Sequence, residues 1–375
     1  MKYFEIALIY VNCLALNLKI LHLISLMKLP SLKIRNLESK YPVIQAGMGV
    51  RIGNAVLSSS TIRLGGYGTI ASVGLGDIEK SKTDFVNESN RVLGEEIKRA
   101  RELAGGRKPL GVNIMVALSN YKEMVEQSVK SGIDFIISGA GLPIPLPEYV
   151  GSADVAIIPV ISSGRALSVL LSAWRRKYSR GPDAVIVEGP FNGGHLGFTP
   201  EQIEHPETCS LEIIFKDVKQ VMNGMGYGGI PVLAAEMIAS REDIERALAI
   251  GYDGVQVGTH FIASEESGLD RKSKEVYVKA KRGDVTVIKS PVGLPVRVLK
   301  TPLVDRVLSG SREKFSCPYR CLRTCNPGKV PFCIAKALLA TWRGDVENGL
   351  YMAGCNVEDI REIYPLEKFF KSLEN

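Results

Sequence analysis

A single histidine set among glycines is the feature of this chain with the most chemical content. In Glu188-Gly189-Pro190-Phe191-Asn192-Gly193-Gly194-His195-Leu196-Gly197, the glycines allow the backbone to turn sharply and bring an imidazole close to a planar ligand. Imidazole titrates near neutrality, so it can take a proton from a carbon acid at physiological pH. The chain has only four histidines. His195 is therefore the candidate catalytic base; the alternative is that it braces its own loop. A second signal is the pair Ala234-Ala235-Glu236-Met237 and Gln256-Val257-Gly258-Thr259. Gly258 and Thr259 can offer backbone N–H groups and a hydroxyl to phosphate oxygens, or can be ordinary turn residues.

A third set consists of small or amide residues: Gly47, Met48, Asn113, Ser138, Gly139, Ser162, Ser163 and Gly164. An isoalloxazine needs backbone donors near its N5 and O4 and amide partners at its pyrimidine edge. Asn113 suits the second role, and equally suits an Asx turn closing a strand.

These residues need elements to carry them. Between Pro42 and Phe261 one pattern repeats: a short β-branched apolar run, a Gly, Ser or Asn, then an amphipathic helical stretch. The runs are 43–45, 68–72, 111–115, 135–139, 156–160, 184–189, 231–235 and 254–259. Among the helices, Tyr121–Ser131 puts Met124, Val125 and Val129 on one face, and Ser240 caps a stretch that Gly251 stops. Apolar strands alternating with helices predict a parallel sheet covered on both faces. Eight units predict an α/β fold of the (β/α)₈ TIM-barrel type. An open doubly wound sheet is the alternative, but no GxGxxG follows the first strand. In such a barrel the active site sits at the C-terminal ends of the strands, where all the residues above fall.

The expected organisation is a barrel over 27–265, a cap inserted after strand 8 over 266–335, and C-terminal closing helices over 336–375, including one from Ile360 to Leu373. Residues 1–26 form an N-terminal extension. Their apolar stretch is interrupted by Asn12, Asn17, Lys19 and His22, and no small-residue cleavage site follows. A spanning helix and a signal peptide both fit it poorly, and Met27-Lys28-Leu29-Pro30 reads as a natural start.

Composition is that of an ordinary globular protein: 45% hydrophobic, 23% charged, net charge +7. The basic residues are dispersed and lack interleaved aromatics, which argues against nucleic-acid binding. The expected partner is a small-molecule substrate, the expected location cytoplasmic with no membrane attachment, and the oligomeric state is not encoded legibly.

Seven cysteines are present, and Cys317, Cys321, Cys325 and Cys333 crowd together. Positions i, i+4 and i+8 lie along one helical face, and Pro318 suits a first helical turn. Four convergent thiolates would hold zinc or an iron–sulfur cluster. The spacing matches neither a CxxC pair nor a common ferredoxin run, so small buried hydrophobes or redox-active thiols remain alternatives.

Taken together, Pro42-Val43-Ile44-Gln45-Ala46-Gly47-Met48, Gly111-Val112-Asn113-Ile114-Met115, Gly193-Gly194-His195-Leu196-Gly197 and Gly254-Val255-Gln256-Val257-Gly258-Thr259 resemble the nitronate monooxygenase (2-nitropropane dioxygenase) family and its relatives, the flavin-dependent enoyl-acyl-carrier-protein reductases. The resemblance implies an FMN-binding barrel that oxidises alkyl nitronates with O₂, with His195 as the catalytic histidine. It implies Gly47 and Met48 near the flavin ring, Asn113 near its edge, and Ser163 and Gly164 near the ring or phosphate. Glu188, Gly193, Gly194, Ala235, Gln256, Gly258 and Thr259 complete the implied cofactor-binding set. An NAD(P)H-dependent enoyl-thioester reductase and a non-catalytic flavin- or metal-binding protein are the alternatives. One departure stands out: the family usually has two glycines where Glu236-Met237 stands here. A carboxylate beside a phosphate dianion is repelled, so Glu236 turns outward or FMN binds weakly or differently.

Overall fold

The computed structural model describes residues 28–313, 315, 317 and 319–374; the extension and the proposed start at Met27 lie outside the described residues. The eight barrel strands are β1 (Val43–Gln45), β2 (Gly68–Ala71), β3 (Leu110–Met115), β4 (Phe135–Gly139), β5 (Ala156–Ile161), β6 (Val185–Glu188), β7 (Val232–Ala235) and β8 (Gly254–Val257). Each strand pairs in parallel with the next, and β8 pairs with β1. A parallel Ile44–Tyr67 bridge joins β1 to the start of β2 and closes the cylinder. The predicted (β/α)₈ barrel is the observed fold.

Alternation along the strands explains the two core layers. Ile44, Phe135, Ile137, Ile158, Ile186 and Leu233 point into the cylinder and form one buried cluster. Val43, Val185, Val187, Val232 and Val255 belong to a cluster with the outer helices, so each strand is apolar on both faces. A hairpin of Leu32–Ile34 and Leu37–Ser39 lies across the N-terminal end. Leu32, Ile34 and Leu37 enter the interior cluster, and the Tyr67 hydroxyl donates to the Leu37 carbonyl at 2.9 Å. The bottom of the cylinder is thereby plugged, leaving the C-terminal rim as the accessible end.

The helices follow their local signals. Tyr121–Lys130 ends one residue short of the expected Ser131, which caps it. Ser240 and Asp243 form a capping box on Arg241–Ile250, and Gly251 ends that helix at φ 116°. The expected closing helix from Ile360 is shorter, spanning Leu366–Ser372. Pro365 disfavours helical geometry in the residue before it, and Tyr364 instead bridges to Ser264.

After β8 comes a helix over Arg271–Lys279, a hairpin of Val285–Lys289 and Pro295–Leu299, and a helix over Pro302–Leu308. The hairpin does not stand alone. Val296 pairs with His195 and Arg297 with Gly194, extending it into a three-stranded antiparallel sheet. The helix Ile334–Trp342 then packs over the rim. Among the described residues, no helix is long and apolar enough to cross a membrane.

Candidate active site

The strand ends and the cap enclose a cavity of about 430 Å³. Gly47 and Met48 from the β1 turn, Asn113 from β3, Glu188 from β6, Ala235 from β7 and Gln256 from β8 line it. Gly193, Gly194, His195, Gly258 and Thr259 complete the predicted residues that meet there. Separated by as much as 212 positions in sequence, they converge because parallel strands share one C-terminal rim.

His195 is delivered by geometry that only glycine tolerates. Gly194 has φ +80°, and a Cβ on Gly193 would lie 2.5 Å from the Gly354 nitrogen. The imidazole Nε2 shares a 2.8 Å hydrogen bond with the Ser290 hydroxyl. Ser290 also accepts from the Val292 N–H at 3.1 Å. Burial holds the imidazole pKa down to about 4, so the ring is neutral at physiological pH and retains a lone pair. Glu188, at the end of β6, is pushed up to about 7 by burial, opposed by a hydrogen bond from Asn192.

Two amides have no side-chain hydrogen-bond partner among the described residues although both face the cavity: Asn113 and Gln256. Polar groups in apolar surroundings need partners, so these amides are suited to the polar edge of a bound ligand. A Cβ on Gly47 would strike the Asn113 side chain, which fixes how closely these two strand ends approach. The cap side of the cavity is apolar, with Leu294, Leu322, Ile334, Leu338, Leu350 and Met352 in the wall.

Ser163 and Gly164 do not reach the cavity wall. The Ser163 hydroxyl accepts from the Ala166 N–H as the N-cap of the helix Gly164–Tyr178, and Gly164 abuts Asp217. Ser162, one residue earlier, lines the cavity and donates to the Gly197 carbonyl at 2.8 Å. The period of a strand turning into a helix decides which of three small residues faces inward.

Glu236 turns away from the cavity. Its carboxylate accepts from the Phe191 N–H at 2.5 Å, and a Cβ on Gly189 would collide with it. Burial raises its pKa to about 7, opposed by that N–H and by Arg297. The departure from the two-glycine pattern thus puts no carboxylate side chain in the cavity.

The helix expected to align the cysteines is not formed. Residues 319–333 form no helix; they run along the β3–helix loop, with Leu322 bridged to Leu118, Ser119 donating to the Cys321 carbonyl and Arg323 to the Ala117 carbonyl. No helix aligns Cys317, Cys321 and Cys325, although they and Cys333 stay near enough that, after burial, their proximity helps raise the pKa of Cys321, Cys325 and Cys333. Among the described residues, no three His, Cys, Asp or Glu side chains are placed to hold a metal, so neither zinc nor an iron–sulfur cluster is supported. Burial pushes the Cys321 thiol up to about 12 and raises Cys325 and Cys333. Cys321 lines the cavity, and Cys321, Cys325, Leu322 and Phe332 belong to one apolar cluster. Glu236 turned aside removes one motive for a non-catalytic binding protein.

Sequence inspection missed the Ser290 contact with His195, the grip of Arg297 on the β6 loop, and the apolar cap wall. Ser290-Pro291-Val292-Gly293-Leu294-Pro295 has the composition of a turn, but nothing local joins it to a residue 95 positions earlier.

A barrel closed at one end with this cavity at the other belongs, by its family and its structural neighbours, to the flavin-dependent oxidoreductases. The chain belongs to the nitronate monooxygenase family, whose profile matches residues 31–375. It is 29% identical over 314 residues to a Mycobacterium tuberculosis protein named (3aS,4S,5R,7aS)-5-hydroxy-7a-methyl-1-oxo-octahydro-1H-indene-4-carboxyl-CoA dehydrogenase, covering 84% of this chain and 76% of the relative. It is 26% identical to a probable nitronate monooxygenase of Staphylococcus saprophyticus, covering 75% and 81%. FabK from Thermotoga maritima superposes with a TM-score of 0.70 at 26% identity, covering 89% and 92%. A nitroalkane oxidase from Streptomyces ansochromogenes shares the fold at 21% identity, with a TM-score of 0.67 and coverage of 88% and 94%.

Proposed function

We propose that this protein binds FMN at the C-terminal rim and oxidises alkyl nitronates with O₂, with His195 as the catalytic base. The observation that carries this is the half-buried imidazole, hydrogen-bonded to Ser290, on the wall of a cavity that also holds two amides with no side-chain partner among the described residues. Gly47 and Met48 would face the flavin ring, Asn113 and Gln256 its polar edge, and Gly258 and Thr259 its phosphate, with Glu188, Gly193, Gly194 and Ala235 lining the remainder. Bound there, the flavin supplies the electron acceptor for a carbanion-like substrate.

The protein's own contribution is the proton. The Ser290 hydroxyl has acceptor capacity for both the Val292 N–H and the His195 Nε2–H. That arrangement leaves Nδ1 with the lone pair, able to take the α-proton of a neutral nitroalkane and so form in the cavity the nitronate that is then oxidised. The apolar cap wall excludes water, which keeps the imidazole neutral. Six unpaired thiols among the described residues suit a reducing, cytoplasmic setting. The test is O₂ uptake by FMN-loaded protein given a primary or secondary alkyl nitronate without NADH. Uptake from the corresponding neutral nitroalkane lost in His195→Asn, with uptake from the preformed nitronate retained, supports the base role. No nitronate-dependent uptake in the yellow wild-type protein refutes the nitronate assignment.

A second reading, FMN-dependent NAD(P)H enoyl-thioester reduction, is favoured by the apolar cap side, which is larger than a small nitronate requires, and by the acyl-CoA substrate in the name of the M. tuberculosis relative. Rapid NADH oxidation with a crotonyl-type thioester would select it.

A further inference from the structure

We propose that Arg297 and Glu236 are positioning residues that clamp the β6 loop from opposite sides and so fix where His195 stands in the cavity; this rests on His195 being the catalytic base. Between Glu188 and His195 the chain is Gly189-Pro190-Phe191-Asn192-Gly193-Gly194. Three of these six residues are glycines, which leaves few side chains to hold a segment that must place an imidazole accurately.

The loop is held through its backbone instead. Arg297 Nη1 donates to the Pro190 carbonyl at 2.5 Å and to the Asn192 carbonyl at 2.7 Å. The Phe191 N–H between them donates to Glu236 Oε1 at 2.5 Å. A carbonyl, an amide and a carbonyl in succession therefore each meet a side chain of the complementary charge. Charge-assisted bonds of this kind are shorter and stronger than neutral ones.

The two grips come from different parts of the fold. Glu236 follows β7 of the barrel, whereas Arg297 belongs to the cap hairpin. Arg297 also pairs through its backbone with Gly194, and its neighbour Val296 with His195. Arg297 is 5% exposed. Neither it nor Glu236 makes an ion pair within 4 Å among the described residues. Burying ionisable groups without a direct counter-ion is costly, and a neutral residue would pack a mere strand at less cost. The backbone bonds are the compensation, and they converge on the one segment that carries the base. A displacement of about 1 Å at a reacting group costs on the order of 100-fold in rate.

The test uses FMN-loaded full-length protein carrying Arg297→Met, Arg297→Lys, Glu236→Gln or Glu236→Ala. Three quantities are measured: turnover of a neutral nitroalkane, FMN affinity by flavin fluorescence, and hydrogen exchange of the peptide spanning Gly189–His195. In Arg297→Met, kcat is expected to fall at least tenfold while FMN affinity changes less than threefold and the loop exchanges faster. Glu236→Gln keeps the Oε1 acceptor and is expected to exchange more slowly than Glu236→Ala. Combined with His195→Asn, Arg297→Met is expected to add no further loss, because both changes remove the same event.

Unchanged loop exchange in Arg297→Met and Glu236→Ala would overturn the clamp, as would multiplying losses in the double variant. If His195→Asn alone leaves turnover intact, the base assignment fails, and loop exchange still decides the clamp. If Arg297→Met does not fold, Arg297→Lys and the Glu236 pair carry the same comparison.

Discussion

His195 and His260 stand at the ends of β6 and β8, and burial holds both imidazoles down to about 4. Their surroundings differ. His195 opens on the cavity, has glycines before it, and bonds Ser290. His260 lies in the short helix Thr259–Ile262, its ring centroid 5.1 Å from that of Tyr364 and 5.7 Å from that of Phe369. Its Nδ1 is buried with no hydrogen-bond partner among the described residues. A perturbed pKa therefore does not by itself identify a catalytic histidine; access to a cavity and a partner that orients the ring do.

The largest expected effect tests that contrast directly. With a neutral nitroalkane as substrate, His195→Asn should lower kcat by roughly 100-fold or more, whereas His260→Asn should leave kcat within about threefold under the same assay. Comparable losses from both would erase the distinction. Next comes Ser290→Ala, which keeps the imidazole but frees its orientation. Steady-state kinetics should show a fall in kcat of roughly tenfold, with the acid limb of the pH profile retained.

The pH dependence of the cofactor-free protein sharpens the comparison further. Both histidines have folded pKa values of about 4, below the ordinary 6.5. Between those values the unfolded chain binds protons that the folded chain does not, so stability falls as pH drops from 6.5 to 4. Glu188 and Glu236 act oppositely: their pKa values are raised from 4.5 to about 7. Their contribution is intact below pH 4.5 and is lost as pH rises through 7. The two pairs oppose each other where their ranges overlap, so thermal melts should give a broad plateau between about pH 4.5 and 6.5 with stability falling on either side. His260→Phe should flatten the acid side, and Glu188→Gln should raise the midpoint at pH 8 more than at pH 5.

The smallest effect is expected at the cysteine segment. Cys325→Ser should shift activity by less than about twofold, and elemental analysis of anaerobically purified protein should find zinc and iron well below one equivalent per chain. Stoichiometric metal would reverse the account of those thiols.

How far the sequence could be read differs sharply between these regions. The β6 motif was legible because its glycines act locally: Gly194 needs its φ of +80° wherever the chain goes next. The eight strands were legible for a similar reason, since their apolar runs and flanking breakers are local properties. The cysteine spacing failed because a helical face was inferred from periodicity alone. That segment takes its course from pairing with residues near Leu118, about 200 positions earlier. Ser163 against Ser162 failed at a finer scale, because neighbouring small residues differ only in which way the strand end faces.

By itself, the sequence determined the strand and helix order, the closure into a barrel, and the residue types gathered at its rim, because each follows from side-chain alternation, capping and turn chemistry within a few residues. Tertiary structure alone decided that Ser290 meets His195, that Glu236 points into a backbone turn, and that a cap hairpin completes the sheet behind the imidazole. Those contacts join segments 45 to 107 residues apart, and short-range pattern carries no information about which distant polar group will satisfy a buried one.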